Sequence, residues 1–216
     1  MPTILYEDAH LLLVEKPMGV SSQDVDGDSV PNRLAERGYP VQVVHRLDTP
    51  TGGVMAYART DRAAAKIGVV IRDHERFQKE YLAVVQGAPE EAEGYYTDLL
   101  YYDVRMNKSY VVNRRRKGVR EAKLAYSVLE SVTTDDGTFS LIRVRLHTGR
   151  THQIRVQFAS RKMPLYGDSR YGGVKGACLG LWSHRLTLHH PLMGKTITAT
   201  SSPNWEMAPW CYFKSI

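Results

Sequence analysis

The sequence predicts an α+β domain whose sheet is mixed, largely antiparallel and flanked by helices, and three observations carry that expectation. Short β-like runs recur along the whole chain, separated by proline and glycine turns. Only a few segments repeat apolar residues at helical spacing behind a serine or threonine cap. No internal repeat, low-complexity tract or long linker interrupts the 216 residues, a length that suits one domain, 1–216, with a sizeable core.

Taken in order, Thr3–Glu7 and Leu11–Lys16 read as strands, and Lys16-Pro17-Met18-Gly19 as a turn. The aspartate- and serine-rich stretch 20–29 reads as a loop. A short helix over Pro31–Arg37 follows, capped by Ser29 and ended by Gly38. Val41–Leu47 is a third β-like run. It leads into Asp48-Thr49-Pro50-Thr51-Gly52-Gly53, whose proline and glycines exclude a helix interior. Val54–Arg59 returns to strand. Thr60 then caps a helix over Asp61–His74, with Ala64, Ile67, Val70 and Ile71 on one face. Lys79–Gln86 is a strand, and the acidic stretch 88–98 reads as loop. Tyr110–Asn113, Lys123–Val132 and Thr138–Leu146 read as antiparallel strands, the last with clean alternation. Thr151–Ser160 has helical spacing with Thr151 as cap, and Leu179–Leu188 and Thr196–Ser201 close the chain as strands.

Composition narrows the function classes. The chain is 43% hydrophobic and 24% charged, which excludes a disordered or fibrous protein. Its two cysteines, Cys178 and Cys211, form no CxxC pair, against a disulfide framework or a structural zinc site. No apolar run reaches membrane-spanning length. The start lacks the leading basic residues of a secretory signal, so the expected location is cytoplasmic. The net charge of +6 is unevenly spread: residues 1–100 carry −6, residues 101–170 carry +9 and residues 171–216 carry +3. A basic middle behind an acidic front suits a polyanionic partner, and equally an unevenly charged solvated surface.

Four segments can carry chemistry. Val43 to Gly53 delivers Asp48 to a tight turn, where an aspartate serves either as a turn cap or as a nucleophile that needs no base at neutral pH. Leu146 to Arg155 places a glycine and two arginines around a helix start, which favours an anion. His147 and His152 lack the spacing and the glutamate of a helical zinc site, so no metal is expected. Tyr81, on the Lys79–Gln86 strand, is either a core tyrosine or a platform for a base. The tyrosine-rich basic middle runs through Arg114, Arg115, Arg116 and Lys117, a composition that suits a phosphate backbone and its bases, or a solvated hairpin tip.

The order of the segments is more telling than any one of them. Lys16-Pro17-Met18-Gly19, His45-Arg46-Leu47-Asp48, Lys79-Glu80-Tyr81, Thr148-Gly149-Arg150-Thr151-His152-Gln153-Ile154-Arg155-Val156 and Pro164 to Gly172 follow one another in a pattern that resembles the RluA-type family of RNA pseudouridine synthases. The resemblance covers about residues 4 to 203. It implies the pseudouridine synthase fold, in a short form without an N-terminal S4-type domain, and isomerisation of specific uridines in structured ribosomal or transfer RNA. No cofactor and no metal are implied. By the same resemblance Asp48 is the nucleophile, Tyr81 stacks on the flipped-out base and Arg155 is the basic partner of Asp48. Arg46 next to Asp48, Arg150, and the basic loop Arg114 to Lys117 are the expected RNA contacts. A monomer without membrane association is expected. The family usually has Thr-Ser-Gly where this chain has Thr51-Gly52-Gly53, which removes a hydroxyl from the Asp48 loop. On the residues alone, a non-catalytic RNA-binding protein and an Asp48-dependent nucleoside hydrolase stand as alternatives.

Overall fold

The computed structural model describes residues 1–23 and 26–214; the predicted loop at 20–29 contains positions 24 and 25, which lie outside the described residues. In chain order the elements are β1 (Thr3–Glu7), β2 (Leu11–Lys16), α1 (Val30–Ala35), β3 (Gln42–Val43), β4 (Gly52–Ala58), α2 (Asp61–Val70) and β5 (Phe77–Gln86). There follow β6 (Glu93–Asp103), β7 (Lys108–Val112), β8 (Val119–Thr134), β9 (Gly137–Leu146), α3 (Gln153–Ala159), β10 (Leu181–His189) and β11 (Thr196–Thr200). Chain contacts separate two compact units. One comprises Met1–Glu80 with Trp182–Pro203, the other Tyr81–Leu181 with the segment from Asn204. No helix among the described residues is long and apolar enough to cross a membrane.

In the first unit the strand order is β1-β2-β4-β10, with β3 on β4 and β11 on β10. These pairings are antiparallel except β4–β10, which is parallel at Gly52/Trp182 and Gly53/Ser183. All seven residues of β4 are buried, which explains why its sequence is a continuous apolar run instead of an alternating one. Leu11, Leu13, Val54, Ala56 and Ala58 meet Ala63, Ile67 and Val70 of α2 in one core, joined by Phe77, Leu186 and Ile197. Each fully buried aliphatic side chain there contributes about 1.5–3 kcal/mol. The caps are those the sequence implies: Ser29 Oγ accepts from Asn32 N and Thr60 Oγ1 from Ala63 N.

The second unit has the order β5-β9-β8-β6-β7, and β6 to β9 form an antiparallel ribbon. One face of the ribbon is packed. Leu100, Ala122 and Val156 of α3 form a cluster, and the rings of Tyr96, Tyr126 and Phe158 sit 4.8, 5.2 and 5.7 Å apart. Mixed pairing, a majority of antiparallel strands and few helices make the fold α+β, as the sequence predicts.

Four local expectations need correction. The run Val41–Leu47 is strand only at Gln42–Val43, because side chains replace the ladder beyond it: Ser22 Oγ bonds both Leu47 N and Leu47 O, and His45 Nε2 accepts from Ala56 N. The helix expected to His74 ends at Val70, where Asp73 takes over the following turns through Glu75 N and Phe77 N. The acidic stretch expected as loop becomes β6 from Glu93, since nine cross-strand pairs with β8 outweigh its poor β propensity. Thr151 is not the cap of α3. That position is His152, in the left-handed region at φ 54°, and the Gln153 side chain closes the preceding loop by accepting from Thr148 Oγ1 and Arg150 N.

Candidate active site

Asp48 lies on an irregular segment of the first unit that is fastened on several sides. Thr51 N donates to Asp48 O at 2.9 Å and closes the turn. Upstream, Ser22 clamps the backbone of Leu47 at 2.7 and 3.2 Å, and Tyr57 Oη holds Ser22 O. Downstream, Thr49 O accepts from Gly19 N and from Lys16 Nζ. Lys16 is fully buried and spends its three ammonium donors on Pro17 O, Val20 O and Thr49 O at 2.9, 2.7 and 3.0 Å. Burial pushes its pKa down to about 8, opposed by the Asp48 carboxylate, so it remains cationic at neutral pH. The Lys-Pro-Met-Gly turn is therefore a strap over the Asp48 loop. The sequence offers Lys16 as the end of a strand, the start of a turn and a member of an ordered segment, with no sign of its tie to Thr49.

His45 is a structural member of the same segment. Burial first, and the Lys79 ammonium second, push its pKa down to about 3, and Nε2 accepts from Ala56 N, so the ring is neutral with its proton on Nδ1. Arg46, beside it, is exposed. The departure at Gly52 has a steric reason. A Cβ at 52 would sit inside the Trp182 indole, 2.8 Å from Cε3, and 2.9 Å from Met18 Cγ. The ring, 6% exposed and hydrogen-bonded through Nε1 to Ser201 Oγ, fills the space a serine side chain would need. Gly53 is equally constrained, at φ 109° with a Cβ that would strike the Ser183 backbone.

The second unit holds Tyr81, Arg150 and Arg155. Tyr81 is 6% exposed on β5, a strand buried on both faces from Tyr81 to Val85, so alternation there could not say what the ring faces. Arg155, 6% exposed, forms a two-point ion pair with Asp168: Nε to Oδ2 at 2.7 Å and Nη2 to Oδ1 at 2.8 Å. Its guanidinium carbon lies 5.2 Å from the centre of the Tyr171 ring. Tyr171 Oη accepts from Ser109 N at 2.8 Å and meets His152 Nδ1 at 3.0 Å. Asp168 and Tyr171 are thus the supports of Arg155, and sequence reasoning gave neither a role. Both stand in the Pro164 to Gly172 segment, which is where a search for them would begin. Arg150 is exposed, with Nε on Glu121 O at 3.0 Å. Arg114, Arg115, Arg116 and Lys117 are all exposed between β7 and β8. Among the described residues no three His, Cys, Asp or Glu side chains gather as metal ligands.

A family model described as RNA pseudouridylate synthase matches residues 10–160. A dual-specificity RNA pseudouridine synthase RluA of Salmonella typhi is 32% identical over 209 residues, with 90% of this chain and 90% of that protein covered. An RNA pseudouridine synthase of Synechocystis sp. is 32% identical over 213 residues; the match takes in 91% of this chain and 64% of the relative's length. Among solved structures, the human RNA pseudouridylate synthase domain containing 1 superposes with a TM-score of 0.82 at 21% identity, covering 95% of this chain and 84% of that one, a likeness of fold.

Three outcomes follow from this geometry. Lys16→Met removes the donors from three carbonyls and lowers stability by about 2–4 kcal/mol in chemical denaturation. Asp168→Asn removes the carboxylate that fixes the buried Arg155 and costs about 3 kcal/mol or more in the same measurement. Gly52→Ser destabilises by about 1–3 kcal/mol through overpacking, and far less in a Trp182→Leu background; additivity of the two substitutions would contradict the steric reading.

Proposed function

The chain belongs to the RNA pseudouridylate synthase family, whose reaction converts uridine within RNA to pseudouridine, and we propose that Asp48 is the nucleophile of that reaction here. The observation that carries the proposal is the immobilisation of the Asp48 turn by Lys16, Ser22 and Thr51, which holds a carboxylate ready without the entropy cost of ordering a loop.

In the reaction the C1′–N1 bond breaks, the uracil turns and C1′ bonds to C5; C5 loses a proton and N1 gains one, so the product is an isomer and no electrons are exchanged with a cofactor. Cleavage develops oxocarbenium character at the sugar, which an anionic carboxylate stabilises or traps, as in retaining glycosidases. The target uridine must leave its stack, at a few kcal/mol. In this reading the Tyr81 ring returns about 1–3 kcal/mol by stacking on the extruded base. Arg155, fixed in orientation by Asp168, supplies the guanidinium that keeps the nucleophile charged. Arg46, Arg150 and the loop from Arg114 to Lys117 take phosphates, with steep salt dependence. The proposed substrate is structured ribosomal or transfer RNA, handled by one catalytic domain, 1–216, acting as a monomer in the cytoplasm.

The test is pseudouridine mapping on cellular and purified RNA with the wild type and Asp48→Asn. The substitution is expected to lower turnover by roughly 10³-fold or more while Tm and RNA affinity stay near wild type. Retained turnover removes Asp48 from the chemistry, and the release of free uracil would replace isomerisation by hydrolysis.

A further inference from the structure

The ribbon of β6, β7, β8 and β9 has two unlike faces, and the Asp48 chemistry uses neither tyrosine-bearing strand of its outer one. Strand register sorts the side chains. Leu100 and Ala122 point to the α3 side, where Val156 covers them. Tyr101 pairs across the strands with Tyr110 of β7 on one side and Val119 of β8 on the other, so these residues share the opposite face. Tyr95, six residues before Tyr101 on β6, is on that face too, about 20 Å away along the strand. Tyr95 is 54% exposed and Tyr110 38% exposed, high for large aromatics.

Cations stand among these rings. The Arg116 guanidinium lies 4.8 Å from the Tyr101 ring centre and extends it as a second planar surface; Lys108 Nζ lies 5.7 Å from that of Tyr110. At the other end His147 approaches Tyr95 with ring centres 5.4 Å apart, and the register brings Arg145 beside Ala125, the partner of Tyr95. The register puts three acids on this face: Glu121 is held by Lys123 at 2.7 Å and Arg115 at 3.2 Å, Asp103 Oδ1 accepts from Arg105 N and Met106 N, and Glu93 is exposed at the Tyr95 end, where Arg145 and His147 stand. Exposed aromatics on a sheet, interleaved with cations, match the chemistry of an unpaired polynucleotide: ring faces take bases and the cations take phosphates.

We propose that this outer face of the β6–β9 ribbon is a stacking platform for unpaired nucleotides of the RNA, with Tyr95 and Tyr110 as its two base-bearing rings. The proposal rests on the reading above only in taking the polymer to be RNA. It gives the sequence's tyrosine-rich basic middle a division of labour, since Tyr102 and Arg120 point to the other face and are not part of it.

The experiment is fluorescence anisotropy of a labelled oligouridylate and of a blunt RNA duplex of equal length, with the full chain. Tyr95→Ala and Tyr110→Ala each weaken oligouridylate binding roughly fivefold or more, whereas Tyr95→Phe and Tyr110→Phe stay near wild type. Duplex binding is unchanged in all four variants. Unchanged oligouridylate affinity in folded alanine variants overturns the platform, as does equal weakening of duplex and single strand, which would indicate charge attraction alone. Because binding is read without turnover, a chain that isomerises no uridine yet loses the oligonucleotide in Tyr110→Ala overturns the catalytic reading and keeps the platform.

Discussion

A cation removed from water must donate hydrogen bonds to new acceptors or lose its charge, and the Lys16 ammonium donates three. Its acceptors sit on the strap at Pro17 and Val20 and on the loop at Thr49, so one desolvated charge joins two stretches of chain that local sequence would leave independent. Ser22 repeats the tie at Leu47. Asp48 stands between those two anchored positions. A loop of Asp, Thr, Pro and Gly would otherwise sample many backbone states, each of which disperses the carboxylate. The reactivity assigned to Asp48 depends on that dispersion being suppressed.

The second unit solves a similar problem with a carboxylate in place of carbonyls. Arg155 emerges from a helix of seven residues, too short to be rigid by itself. Asp168 fixes two of its nitrogens, and Tyr171 lies across the guanidinium while its own hydroxyl is pinned by Ser109 N. The left-handed backbone at His152 belongs to the same arrangement: the imidazole meets Tyr171, and α3 begins without a side-chain cap while the Gln153 side chain ties down the loop before it.

Much of this architecture was legible from local signals. Ser29 and Thr60 announced their helices because capping is a contact between a side chain and a backbone group three residues away. β1 and β2 were readable to the residue from period and turn chemistry. What stayed hidden depended on partners distant in sequence. β6 begins in acidic residues whose pairing lies on β8, and the strand expected to Leu47 dissolves because Ser22 competes for its backbone. Of the residues the proposal uses, Asp48, Tyr81 and Arg155 took their roles from the resemblance. Lys16 and Asp168 stood in the same ordered segments without a role, because nothing in a turn lysine or a loop aspartate reveals that it is buried or whom it holds.

The indole of Trp182 and the missing side chain of Gly52 are complementary volumes on adjacent parallel strands. Neither can be exchanged alone without a collision or a void, so a side chain at 52 has room only where residue 182 is smaller. The composition of the turn after Asp48 is thereby tied to a strand far away in the sequence, and the two positions behave as one unit under substitution.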